Sequence, residues 1–407
     1  MERPWISDKW WVSPLNFVDE VRSQLRSPKK VVIHDITLRD GEQQAGVTFT
    51  KEDKIEIAKM LDEVGVHRIE AGMPAVSNED KEAIKAIARM GLNAKVFCFA
   101  RCMKRDVDLA LECDVDGIEM EIPSSEHLIK YGYNWPLERA VELAVEATSY
   151  AAEHGLHVSF FTIDGTRADL DWWFKLVGKV AAEGHMDSLV LVDTFGVCMP
   201  EAIRYLVRRV KRQFSVPIEV HLHNDFGLAV ANTLAAVAEG AEIVHTTVNG
   251  IGERMGNADL AETALALEVL YGVKLGLDYS KLYKLSKLVE KLSGVKMPPH
   301  KPVVGDGIFR VESGIIVGWW RNLEKQGKPL IMFPYHWSLV GHNGVEMVLG
   351  KKSGRDSILY ALEKMGIDPT TVDVDKILEE VKMEATKRKS PISSEAFKQM
   401  IERHKAK

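Results

Sequence analysis

The chain has 407 residues, 53 Lys and Arg against 59 Asp and Glu, and a formal charge of −6, with 46% hydrophobic and 28% charged residues. That balance is ordinary for a soluble globular protein, and a mildly acidic surface argues against nucleic acid or an anionic membrane as partner. No apolar run reaches the roughly 20 residues of a bilayer span, the start Met-Glu-Arg-Pro-Trp lacks a signal-peptide pattern, and Cys98, Cys102, Cys113 and Cys198 are too few and too irregularly spaced for a disulfide framework or zinc ribbon, so a reducing cytoplasm is expected.

Residues 1–30 read as a leader in which Trp5, Trp10 and Trp11 are expected to pack against a barrel base or a second subunit. From residue 31 short β-branched runs alternate with stretches of helical periodicity. The predicted strands are 31–41, 67–74, 94–101, 116–123, 156–164, 187–196, 217–227 and 242–250. Between them lie amphipathic segments such as KEDKIEIAKMLDEVG, closed by glycine as helix ends often are. Eight strand–helix units over about 250 residues predict a closed (β/α)8 TIM barrel over 31–275. An open doubly wound sheet is disfavoured because no G-x-G-x-x-G turn follows the first strand. After 275 the strand rhythm stops, and 276–407 is predicted to be a mainly helical C-terminal appendage. Its basic tail, 382–407, spreads its charges at helical spacing, as a solvated helix face does.

In such a barrel the active site lies at the C-terminal ends of the strands. His221 and His223 are two apart near the end of the seventh strand, so both imidazoles face one space. Alone, that pair reads more readily as two satisfied core histidines. Asp40, ending the first strand in Thr-Leu-Arg-Asp-Gly, comes from a strand separated from the seventh only by the eighth. A carboxylate and two imidazoles suit a divalent metal, Mg, Mn or Zn, and Asn257 is a candidate fourth ligand. Arg39 beside Asp40 suits an oxygen that gains negative charge. Arg101 and Arg167 close strands 3 and 5, either as clamps for a substrate carboxylate or as surface ion pairs. Thr194 ends strand 6, and the glycine-rich loop 250–257 offers backbone amides.

The runs His34-Asp35-Ile36-Thr37-Leu38-Arg39-Asp40-Gly41-Glu42-Gln43, Ile69-Glu70-Ala71-Gly72-Met73-Pro74, His221-Leu222-His223-Asn224-Asp225 and Asn249-Gly250-Ile251-Gly252-Glu253-Arg254 resemble the DRE-TIM metallolyases, which include 2-isopropylmalate, homocitrate and citramalate synthases and 3-hydroxy-3-methylglutaryl-CoA lyase. Weaker resemblance continues in Glu312-Ser313-Gly314-Ile315 and Leu349-Gly350-Lys351-Lys352-Ser353-Gly354-Arg355, similar to subdomain motifs of the synthases. The resemblance implies Asp40, His221 and His223 as metal ligands with Asn257 nearby, Arg39 as the polarising group, and Thr194 as a group that holds the 2-oxo acid; Gln43, Glu70, Arg101, Glu119 and Arg167 are further candidates around the substrate. It implies a Claisen-type condensation of an acyl-CoA with a 2-oxo acid, and a homodimer. Leucine-type feedback through a further regulatory domain is not expected.

Departures from the synthase pattern bear on the base. Ile316 and Val311 stand where synthases carry histidine around Glu-Ser-Gly-Ile, Ile163 stands where a glutamate often ends strand 5, and Glu119 stands for a substrate-contacting histidine on strand 4. Isoleucine moves no proton, so Tyr335, His336 and Glu312 become the candidate base groups. Glu119 and Glu121 share one face of strand 4, either in an ion-pair network or facing an unusual substrate group, such as a cation. The alternatives to a synthase are a metal-dependent lyase or aldolase cleaving a 3-hydroxy acid or thioester, and a catalytically silent metabolite-binding relative.

Overall fold

The computed structural model describes residues 3–405, so the first two residues of the leader and the last two of the tail lie outside the described residues. Eight parallel strands, β1 (Val32–Asp35), β2 (Arg68–Glu70), β3 (Lys95–Arg101), β4 (Gly117–Pro123), β5 (His157–Ile163), β6 (Ser188–Asp193), β7 (Ile218–Leu222) and β8 (Ile243–Thr246), close in sequence order. β8 seals the ring onto β1, with Ile33 opposite Val244. This is the (β/α)8 barrel, and a helical C-terminal region accompanies it.

The helices form where the periodicity places them. Lys51–Val64 starts on a capping box between Thr50 and Asp53 and ends at Gly65, whose φ of 92° is the left-handed conformation glycine adopts without strain. It buries Ile57, Leu61 and Val64 against the barrel and carries the buried Lys54, whose ammonium lies 2.7 Å from Glu42 and 2.5 Å from Asp80.

Strand 1 is shorter than the sequence suggests. It ends at Asp35, and Ile36–Asp40 is a turn in which the Asp35 carboxylate accepts the Thr37 N–H at 3.0 Å and the Ile36 carbonyl accepts the Gly41 N–H at 3.1 Å. Ile36 and Leu38 are wholly buried in that turn, so the apolar pattern runs past the strand's end. Arg39 and Asp40 therefore sit on a hydrogen-bonded loop above β1.

Two compact units divide at Ser13/Pro14 and Met297/Pro298. The barrel unit includes the helix Leu282–Ser293, whose Leu282, Leu285 and Val289 pack toward the Lys51–Val64 helix, so this stretch belongs with the barrel although the strand rhythm has stopped. The other unit gathers the residues up to Ser13 with those from Pro298 onward. Its helices Arg355–Lys364, Val374–Arg388 and Ser394–Arg403 enclose Ile358, Leu362, Ile377, Val381 and Phe397. A second cluster of Val311, Val317, Trp320 and Tyr360 has Ile316 packed against it. Among the described residues no helix is long and apolar enough to cross a membrane.

Candidate active site

The barrel interior sorts its residues by strand alternation. On β4 the apolar Ile118, Met120 and Ile122 take one face; Glu119 takes the other and meets His34 of β1 and His245 of β8. At the C-terminal end β7 and the turn after β1 bring three of the predicted residues together. Asp40 Oδ2 lies 3.2 Å from His221 Nε2 and 3.5 Å from His223 Nε2, and the two imidazole nitrogens are 3.1 Å apart. Donors at about 2.0–2.1 Å from a tetrahedral centre stand about 3.3 Å from one another, so this triangle has ligand spacing.

Two buried oxygens there have no hydrogen-bond partner, Asp40 Oδ2 and Asn257 Oδ1, and a bridge pairs the backbones of Asn257 and His223. A buried acceptor left unpaired costs about 1–3 kcal/mol, so the arrangement suits a cation that repays it. Burial would raise the Asp40 pKa, but Arg39, His221 and His223 hold it well below the usual carboxylate range. Burial holds His221 well below the ordinary imidazole value, which keeps it neutral and able to ligate. His223 is oriented by its Nδ1, 3.2 Å from the Gly256 carbonyl.

That carbonyl depends on a glycine. Gly256 has φ of 78°, and a Cβ there would collide with the Gly250 carbonyl oxygen. Gly256→Ala is expected to cost about 2–4 kcal/mol of stability from the left-handed backbone and the collision together. It should also weaken metal binding, because the acceptor for His223 moves; a melting curve and a metal titration on the same sample check both.

Arg39 is held from two sides: its Nε donates to Glu70 Oε2 at 2.8 Å and its Nη1 to Gln43 Oε1 at 3.2 Å, while the guanidinium carbon sits 4.0 Å from the Phe99 ring centre. Its Nη2 is buried and unpartnered. Gln43 and Glu70 thus touch the arginine, and Glu70 is wholly buried.

The rim arginines have local partners. Arg101 grips both oxygens of Asp106 at 2.8 and 3.0 Å, Arg167 grips Asp164 at 2.7 and 2.9 Å, and Arg254 pairs with Asp225 at 2.9 and 3.1 Å. Each is charge-compensated before any substrate arrives. Thr194 Oγ1 accepts the Asp164 N–H at 2.8 Å, leaving its own O–H to donate.

Glu119 does not line the mouth. It is 0% exposed, both its oxygens lack hydrogen-bond partners, and it lies among His34, His245 and Glu219, with no lysine or arginine side chain among the described residues within ion-pair reach. Ile163 packs against Phe99, Phe161, Val190 and Val192. Glu121, on the inward face one pleat nearer the mouth, is half-buried; burial pushes its pKa up to about 7 against the pull of Arg39 and Arg101.

In the second unit, Glu312 Oε1 accepts the Lys352 N–H at 3.0 Å. Tyr335 pairs its backbone with Trp10. His336 Nδ1 lies 2.8 Å from Ser338 Oγ, and its ring is 3.8 Å from that of Trp337. Sequence reasoning missed His245 and Glu219, which sit behind His221; neither falls in a motif, and only their shared inward register on β7 and β8 marks them.

A closed parallel barrel with a buried carboxylate–imidazole cluster at the C-terminal end of its strands defines a barrel enzyme. The chain belongs to the HMGL-like family, which matches residues 30–289. Its relatives include the homocitrate synthase AksA of Methanopyrus kandleri, 43% identical over 90% of both chains, and a probable 2-isopropylmalate synthase of Ignicoccus hospitalis, 46% identical over 87% of this chain and 88% of that one. The (R)-citramalate synthase CimA of Methanocaldococcus jannaschii is 43% identical over 86% of this chain and 70% of its own. The fold also matches the HMG-CoA lyase of Bacillus subtilis, with a TM-score of 0.60 at 22% identity over 67% of this chain and 96% of that one.

Proposed function

We propose that this chain is a divalent-metal-dependent acyltransferase that joins an acyl-CoA to a 2-oxo acid by a Claisen-type condensation. The observation that carries the reading is the Asp40–His221–His223 triangle with its unpartnered buried oxygens, set beside the free Nη2 of Arg39. Membership among synthases of this reaction class supports it. A bound Mg2+, Mn2+ or Zn2+ would supply a Lewis acid at the oxo group. Arg39, fixed by Glu70 and Gln43, donates to the oxygen that gains negative charge. The Thr194 hydroxyl offers a donor to the oxo-acid carboxylate, while Arg101 and Arg167 share theirs with Asp106 and Asp164. The reading includes a cytoplasmic homodimer.

The proton from the acyl carbon needs an acceptor. Ile163 and Ile316 are packed apolar side chains, and Glu312 is engaged by the Lys352 N–H. Within the barrel, Glu121 faces the mouth near Arg39, and a carboxyl titrating near neutrality suits a general base. A base must be ionised, so kcat/KM is expected to rise with pH through about 7, and Glu121→Gln to remove that limb and lower kcat about 10²- to 10⁴-fold. An unchanged profile in Glu121→Gln, with a loss in Tyr335→Phe or His336→Gln, moves the role to the second unit.

The deciding assay is release of free CoA thiol with added Mg2+, Mn2+ or Zn2+, crossing acetyl-CoA and longer acyl-CoAs with 2-oxo acids from glyoxylate to 2-oxoglutarate and branched examples. Release that depends on both substrates and on metal establishes the synthase. Silence across the panel with metal bound overturns condensation in favour of cleavage.

A further inference from the structure

Behind the Asp40–His221–His223 group the barrel holds a second cluster that the proposed reaction does not use: His34 of β1, Glu119 of β4, Glu219 of β7 and His245 of β8, all wholly buried. Their ligating atoms lie within 4.8 Å of one another. The cluster is either a second metal site or hydrogen-bonded support for the first. Proton bookkeeping separates the two.

Glu219 is already well solvated by protein. Its Oε1 accepts from Arg68 Nη1 at 3.0 Å, Ser159 Oγ at 3.0 Å and Ser188 Oγ at 2.5 Å, and its Oε2 lies 2.9 Å from His245 Nε2. A guanidinium and two hydroxyls directed at one oxygen suit an ionised carboxylate, whereas neither oxygen of the buried Glu119 has a hydrogen-bond partner. The other nitrogen of His245, Nδ1, lies 3.3 Å from His221 Nδ1.

A neutral imidazole has one N–H and one lone pair. When the Nε2 lone pair of His221 faces the site, its proton is on Nδ1 and is donated to His245 Nδ1. His245 then carries its proton on Nε2, against the Glu219 carboxylate. A cation in the lower cluster would need the Nε2 lone pair of His245; the proton would move to Nδ1 and oppose the N–H of His221. The two occupancies exclude one another, and the donors gathered on Glu219 favour the upper one.

We propose that Glu219 and His245 are positioning residues, a carboxylate–imidazole relay that fixes the tautomer of His221 so that its Nε2 is free for a divalent cation. This rests on the metal reading above. Outer hydrogen bonds of this kind are worth about 10- to 100-fold in metal affinity. The test is Zn2+ titration of the chelator-stripped full chain against a chromophoric competitor, with melting curves alongside. His245→Phe removes the acceptor and is expected to bind Zn2+ about 10- to 100-fold more weakly. His245→Asn, whose amide oxygen can take the place of Nδ1, is expected to recover most of that loss, a recovery that simple repacking would not produce. The unmodified protein is expected to bind one ion per chain and Asp40→Ala none. Equal affinity in folded His245→Phe overturns the relay, as does a second ion that is lost in Glu119→Gln. Failure of the unmodified protein to bind at all overturns the metal reading instead. If His245→Phe does not fold, two-bond ¹H–¹⁵N spectra of the Zn2+-loaded, ¹⁵N-histidine protein decide: His221 protonated on Nδ1 and His245 on Nε2 supports the relay, and the reverse tautomers overturn it.

Discussion

Asp40→Ala is expected to abolish metal retention and to cut turnover about 10³- to 10⁵-fold, since a Lewis acid supplies several kcal/mol of charge stabilisation at 1.36 kcal/mol per decade. Asp40 contributes the only carboxylate in the triangle; without it two neutral imidazoles remain, and the charge that offsets a dication is gone. Burial opposes its ionisation but Arg39 and the two histidines overcome it, so Asp40 stays ionised throughout the working pH range and the loss should be the same at pH 6 and pH 8. The barrel should remain folded, because Arg39 keeps its shorter bonds to Glu70 and Gln43 and lies 3.9 Å from Asp40. Metal content after gel filtration, thiol release and circular dichroism make the check. Full turnover in metal-free Asp40→Ala would sink the metal mechanism.

Arg39→Gln is expected to lower kcat about 10²- to 10³-fold with metal binding retained, the size of effect seen when one preorganised donor to a developing oxyanion is removed. The variant carries a second cost. Glu70 is wholly buried and its shortest contact is the Arg39 Nε at 2.8 Å, so losing the guanidinium leaves an uncompensated buried carboxylate, worth about 3–5 kcal/mol. Burial already pushes Glu70 up to about 7 even with Arg39 present, so the orphaned group is expected to take up a proton. The double variant Arg39→Gln/Glu70→Gln should recover most of the stability and none of the turnover. Recovery of turnover in the double variant would mean that Arg39 serves only to neutralise Glu70.

The Asp40–His221–His223 triangle was legible because its geometry is local. His221 on β7 and His223, in extended backbone just past its end, are two apart and share a face, and the turn that presents Asp40 follows β1 directly. The partners of Arg101 and Arg167 were also local: Asp106 lies five residues on and Asp164 three residues back. An arginine with an aspartate within five residues is as well explained by that pair as by a substrate, and the structure shows the pairs made. The end of β1 was hidden because burial continues through Ile36 and Leu38, and periodicity reports burial rather than backbone conformation.

The sequence by itself determined the strand–helix alternation, the barrel it implies, the family, and the grouping of Asp40, His221 and His223. Each follows from spacings of a few residues, which short-range sterics and strand alternation convert directly into geometry. Only the tertiary structure decided what Glu119 meets and what stands behind His221. Those contacts exist because closure of the ring sets β1, β4, β7 and β8 around one interior, and residues far apart along the chain then share a space with no water to solvate them. Their charges and tautomers are settled by one another, and no local pattern records that.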